Sequence, residues 1–179
     1  MGSKHKHIVI EIKDREIRFP KGYFFSCSPI HLIRHIAAED IAEINLSIHP
    51  PALIYQKKEF IFISSELKTA LEHFAKRNRI PLVDRFDIWE HLNHTFLDTE
   101  FDQEEKQNTQ KLLSENGIST LELRRIRKRI GRTMWLNALV WEWTYLGLFD
   151  YLKWTFLTPK KYWWAMEIAL RNYTKIPKT

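Results

Sequence analysis

The stretch Ala52-Leu53-Ile54-Tyr55-Gln56-Lys57-Lys58-Glu59-Phe60-Ile61-Phe62-Ile63 decides the fold class. Two runs of β-branched and aromatic residues flank a polar tetrad, Gln56 to Glu59, and the pattern predicts a β-hairpin over 52–63. A second hairpin is expected upstream. Residues 7–13 alternate, with Ile8, Ile10 and Ile12 on one face, and Asp14-Arg15 turns the chain into Glu16–Phe19. Between the hairpins, Ser28-Pro29 reads as N-cap and first helical residue. Ile30, Ile33, Ala37, Ile41 and Ile44 recur at helical spacing, predicting a helix over about 29–45 that Pro50-Pro51 stops.

Downstream the period changes. Leu67, Leu71, Phe74 and Ala75 mark a helix over about 66–78, and from residue 84 onward only helices are expected. Asp84–Leu97 carries Ile88, Leu92 and Phe96 along one edge. Asp102–Glu115 opens acidic, which suits the positive end of a helix, and closes on Asn116-Gly117, a C-cap pair. Ser119-Thr120-Leu121-Glu122 is a capping box. The helix it opens is expected to run to about Trp154, bent or broken near Gly131. Thr158-Pro159 starts the last helix. The expected fold is therefore α+β: short β-hairpins and one helix at the N-terminus, then a mostly helical, Trp-rich bundle. The expected division is a β-rich part, 1–65, and a helical part, 66–179, packed as one unit. The composition shift lies between 65 and 84.

Composition bounds function. A chain of 179 residues with 44% apolar and 28% charged residues can close a core without staples. The single cysteine, Cys27, forbids an intrachain disulfide, and no C-x-x-C zinc pattern occurs. With no apolar leader at the N-terminus, a reducing cytoplasm is the expected location. No phosphate-binding glycine loop and no G-x-S-x-G occurs among the five glycines, so enzyme families carrying those motifs are excluded. No cofactor is expected. The net charge of +6 favours anionic partners.

Arg124, Arg125, Arg127, Lys128, Arg129 and Arg132 fall within nine positions. At helical geometry they cover an arc of about 200°. Leu123, Ile126, Ile130 and Met134 fill the opposite arc, so the segment reads as an amphipathic helix with a cationic outer face. This is the candidate binding site for an anionic partner. The leading expectation is a non-enzymatic protein-binding or adaptor role, through a protein partner or self-association. The first alternative is a nucleic-acid-binding or regulatory protein using the same helix. The competing structural reading is a solvated face paired with the acidic run Asp98, Glu100, Asp102, Glu104 and Glu105.

Six of the seven tryptophans lie beyond residue 134, and 134–157 is apolar nearly all round. Glu142 near its middle argues against a transmembrane span. A buried aromatic core is the first reading, and peripheral membrane contact, with Lys160-Lys161 and Arg132 flanking the aromatics, is a second. A metal-assisted enzyme is the remaining alternative. His91, His94 and Asp98 share one side of a helix, with His73 or Glu100 as a further ligand. Cys27 precedes a helix start with His31 one turn on, a Cys–His arrangement that lacks a third group. His31 and His35 form an i, i+4 pair on that predicted helix. Glu142, among Trp141, Trp143 and Tyr145, would be a lone raised carboxyl if buried.

Overall fold

The computed structural model describes residues 9–93, 103–138 and 147–173, with 132–138 described by backbone only. It is an α+β protein: two small antiparallel sheets, then helices. The chain divides into two compact units, Met1–Val83 and Asp84–Thr179.

In the first unit, β1 (Glu11–Ile12), β2 (Glu16–Arg18) and β3 (His35–Ala37) form one sheet in that order. The predicted Asp14-Arg15 turn is present, closed by the Lys13 N–H donating to Glu16 O at 2.9 Å. The second sheet orders β4 (Ile41–Asn45), β5 (Ala52–Tyr55) and β6 (Glu59–Phe62). Its hairpin is the one predicted, with Ala52 opposite Phe62 and Tyr55 opposite Glu59. Central β5 buries Ala52, Leu53 and Ile54 in succession, as expected of a strand covered on both faces. Neither edge of this sheet is left bare. The Ile44 N–H donates to Pro81 O and the Val83 N–H donates to Ile44 O, so 81–83 lies along β4. The Phe62 N–H of β6 donates to the Tyr23 hydroxyl at 2.9 Å. Such cover suppresses edge-to-edge pairing with other chains.

The predicted helix over 29–45 is corrected. Helix α1 is only Ile30–Ile33, and Arg34 ends it in the left-handed region at φ 64°. The chain then forms β3, a 3-10 turn at Ala38–Asp40, and β4. The start is where Ser28-Pro29 places it: the Ile30 N–H donates to Ser28 Oγ at 3.1 Å. The stripe does not hold, since Ile33 is 45% exposed while Ile36, off the stripe, is 1% exposed. β-Branched isoleucines satisfy strand and helix spacings over short runs, and here pleated pairing wins. Helix α2 (Lys68–Asn78) follows a 3-10 turn and buries Leu71, Phe74 and Ala75 as predicted. With the division falling after Val83, α2 stands with the sheets.

The described elements of the second unit are helical. They are α3 (Ile88–Asn93), α4 (Gln103–Glu115), α5 (Thr120–Ala138), α6 (Leu148–Trp154) and α7 (Pro159–Ala169), the last running into a 3-10 turn. Gly117 at φ 89° closes α4. Its N–H donates to Ser114 O and the Ile118 N–H to Leu113 O, the hydrogen bonds of a Schellman end. Thr158 Oγ caps α7 by accepting from the Lys161 N–H. The long helix expected to reach Trp154 is corrected: α5 passes Gly131 unbroken, and α6 begins afresh after Gly147, which is extended. A mid-helix glycine costs about 1 kcal/mol, less than the burial of the flanking Ile126 and Ile130 returns. Gly147 serves as a start signal, its N–H donating to Asp150 Oδ2 at 3.3 Å.

Trp89 is the centre of this unit. It is fully buried, stacks on Tyr151 at 4.5 Å, meets the edge of Trp164 at 6.0 Å, and donates from Nε1 to Ala165 O at 3.1 Å. The indole thus fills the core and keeps its one donor satisfied.

Candidate anion-docking face

Helix α5 owes its start to Ser119, whose Oγ accepts from the Glu122 N–H at 3.3 Å. Its inner row is Leu123, Ile126 and Ile130, all buried. Packing of that row fixes the rotation of the helix and turns Arg124, Arg125, Lys128 and Arg129 outward, where all four are exposed. These pairs sit one turn apart, as two rungs on one side. Leu121, a turn before Arg124 and Arg125, is 60% exposed.

Two cations are not simply solvated. The Arg129 guanidinium lies over the Trp164 ring at 4.0 Å, a cation–π contact that restricts the side chain. Arg127 is half-buried, its Nε has no hydrogen-bond partner among the described residues, and burial pushes its pKa down. Position 127 lies four residues after Leu123 and three before Ile130, at the flank of the apolar arc, which accounts for its partial burial. The side chain of Arg132 lies outside the described residues.

Among the described residues, no carboxylate lies within ion-pair distance of Arg124, Arg125, Arg127, Lys128 or Arg129. Glu122 of the same helix is engaged by Arg171 at 2.9 Å, which also reaches Glu167 at 3.2 Å. Of the acidic run named as an internal partner, Glu104 and Glu105 are exposed, and Asp98, Glu100 and Asp102 lie outside the described residues.

The other candidates fare differently. His91 donates from Nδ1 to Asp87 O at 2.9 Å and lies 4.0 Å from the Phe86 ring, so one nitrogen is committed to the residue that precedes α3. His94 and Asp98 lie outside the described residues, and among the described residues no three His, Cys, Asp or Glu side chains gather as a metal site. Cys27 is half-buried, and burial raises its pKa. Helix α1, which follows it, is one turn long. His31 and His35 do not share a helix: His31 lies on α1 and donates from Nδ1 to Tyr23 O at 2.6 Å, while His35 lies on β3. Glu142, Trp141, Trp143 and Tyr145 lie outside the described residues. No helix among the described residues is long and apolar enough to cross a membrane.

Sequence reasoning missed two features. One is the pair of buried carboxylates, Glu43 on β4 and Glu59 on β6, which alternation alone marks as solvent-facing positions. The other is which aromatics face outward: the spacing sets Lys160-Lys161 beside an aromatic stretch, and the corner between α6 and α7 is where Trp154, Phe156 and Trp163 are exposed. Nothing in the sequence turns Phe156 outward. Comparison with known family models, curated proteins and solved structures finds no match for this chain.

Proposed function

We propose that this protein is a non-enzymatic binding or adaptor protein that docks an acidic protein segment on the outer face of α5. The observation that carries the reading is the double rung of Arg124, Arg125, Lys128 and Arg129, exposed and without carboxylate partners among the described residues. Exposed Leu121 at the head of the same face supports a protein over a bare phosphate backbone, because an acidic segment brings apolar side chains between its carboxylates. Arg129, held against Trp164, loses less side-chain entropy on pairing than a free arginine. A reducing cytoplasm fits a chain with one cysteine.

Fluorescence anisotropy with a labelled peptide of alternating Glu and Leu tests this. The wild-type chain is expected to bind it at low salt. The variant carrying Arg124→Gln, Arg125→Gln, Lys128→Gln and Arg129→Gln is expected to bind about tenfold or more weakly, since exposed ion pairs contribute roughly 0.2–1 kcal/mol each. Duplex DNA and single-stranded RNA are titrated alongside. Tighter binding to either, falling steeply with salt, overturns the protein-partner reading in favour of nucleic acid. Unchanged peptide affinity in the quadruple variant removes α5 as the docking face.

A further inference from the structure

The corner joining α6 to α7 is separate in sequence from α5 and carries a different chemistry. We infer that Trp154, Phe156 and Trp163, with Lys153, Lys160 and Lys161 next to them in the chain, form a docking surface for an anionic lipid headgroup layer. Phe156 is 85% exposed, and Trp154 and Trp163 are each 40% exposed. A phenylalanine turned out to that degree on a four-residue connection between two helices is not a core residue that failed to fit. Its neighbours Tyr151, Leu152, Thr155 and Tyr162 are all buried, so the corner is anchored from within.

Charge complementarity selects the occupant. The Lys153 ammonium lies 5.5 Å from the Trp154 ring, and Lys160 is exposed on the first turn of α7. Lys161 donates from Nζ to Phe156 O at 3.0 Å, satisfying the carbonyl of the very residue that would enter the apolar layer. A peptide group so satisfied is dehydrated at lower cost than a bare one. Indole rings favour the boundary between headgroups and acyl chains, a phenyl ring goes deeper, and lysines reach lipid phosphate and carboxylate groups on flexible stems. Nucleic acid is disfavoured, because the cations here are lysines and the most exposed ring sits at a loop tip rather than in a groove.

Co-sedimentation of the full chain with vesicles tests the inference. Equimolar phosphatidylcholine and phosphatidylserine vesicles are expected to retain the protein, and pure phosphatidylcholine vesicles far less. Phe156→Ser is expected to lower partitioning by about tenfold. Lys153→Gln and Lys160→Gln are each expected to lower it about fivefold. Quenching of Trp154 and Trp163 emission by brominated lipid is expected in the wild type and reduced in Phe156→Ser. The α5 quadruple variant is expected to keep vesicle binding, so failure of the peptide-docking reading and failure of this one are read separately. Equal binding of Phe156→Ser and wild type, equal retention by neutral and anionic vesicles, or self-association lost in Phe156→Ser without any vesicle binding would each overturn the assignment.

Discussion

Tyr23 shows how one side chain completes a fold. Its ring packs edge-on against Phe19 and Phe25, and its hydroxyl accepts the outward N–H of Phe62. Burial, with Glu59 adding to it, pushes the phenol pKa far above its ordinary value of 10.0. Tyr23→Phe keeps the ring and strands the Phe62 N–H, so it is expected to lower stability by about 1–3 kcal/mol in urea unfolding. The pH dependence follows from the sign of the shift. A raised folded pKa leaves stability intact below the unfolded value and lets it fall once the unfolded chain ionises and the folded one does not. Wild-type stability is therefore expected to decline above that value, by at most about 1.4 kcal/mol per pH unit from this group. Tyr23→Phe lacks that component, and an identical alkaline slope in both proteins would show that Tyr23 is not the group responsible. The hairpin turn makes a second residue-scale case. Gln56 and Lys57 are left-handed, at φ 46° and 59°, though neither is a turn-forming residue. The sequence located this hairpin through its apolar flanks and was silent on the turn. Lys57→Gly is expected to raise stability by roughly 0.5–1 kcal/mol, because relief of the left-handed cost exceeds the entropy that glycine adds to the unfolded chain. A lower thermal midpoint would mean that the Lys57 side chain contributes more than its backbone costs.

At the scale of elements, helix ends were legible and helix interiors were less so. Ser28, Asn116-Gly117, Ser119 and Thr158-Pro159 each mark a boundary in the structure, because capping chemistry is local and needs no tertiary context. The isoleucines between 30 and 44 were ambiguous for the opposite reason. Only pairing with β2 and β5 decides between pleat and helix, and those partners lie outside the stretch itself. The cationic arc of α5 was legible because the 100° step alone separates Leu123, Ile126 and Ile130 from Arg124, Arg125, Lys128 and Arg129. The half-burial of Arg127 and the stacking of Arg129 on Trp164 depend on neighbouring helices and could not be read from spacing. Gly117 gives this scale its prediction. No atom lies closer than 3.8 Å to the position a Cβ would take, so the site is open and only its φ of 89° opposes substitution. Gly117→Ala is expected to cost about 1–2 kcal/mol, read as a lower urea midpoint with unchanged slope. A loss well beyond that would mean the change disturbs the buried Leu113–Ile118 contact behind the Schellman bonds.

For the molecule as a whole, all seven tryptophans lie beyond Val83, so indole emission reports on the second unit alone. Composition reads them as one class of core residue, and the structure divides the four whose side chains it describes. Trp89 is sealed in the core with its donor satisfied, Trp164 is half-buried between Trp89 and Arg129, and Trp154 and Trp163 face water. A core needs only as many rings as its volume admits, and surplus aromatics stay at the surface, where they cost solubility unless a partner covers them. Acrylamide quenching separates the two groups. The wild type is expected to give a curved Stern–Volmer plot, with a shielded, blue-shifted fraction and an accessible, red-shifted one. The Trp154→Phe, Trp163→Phe double variant is expected to lose accessible emission and keep its stability within about 0.5 kcal/mol, as surface substitutions do. Trp89→Phe is expected to lose blue-shifted emission and about 1–3 kcal/mol of stability, since it opens a void and removes the indole hydrogen bond to the Ala165 carbonyl. If the double variant instead loses the shielded component, Trp154 and Trp163 are interior. The aromatic corner between α6 and α7 would then be packing rather than a surface awaiting a ligand.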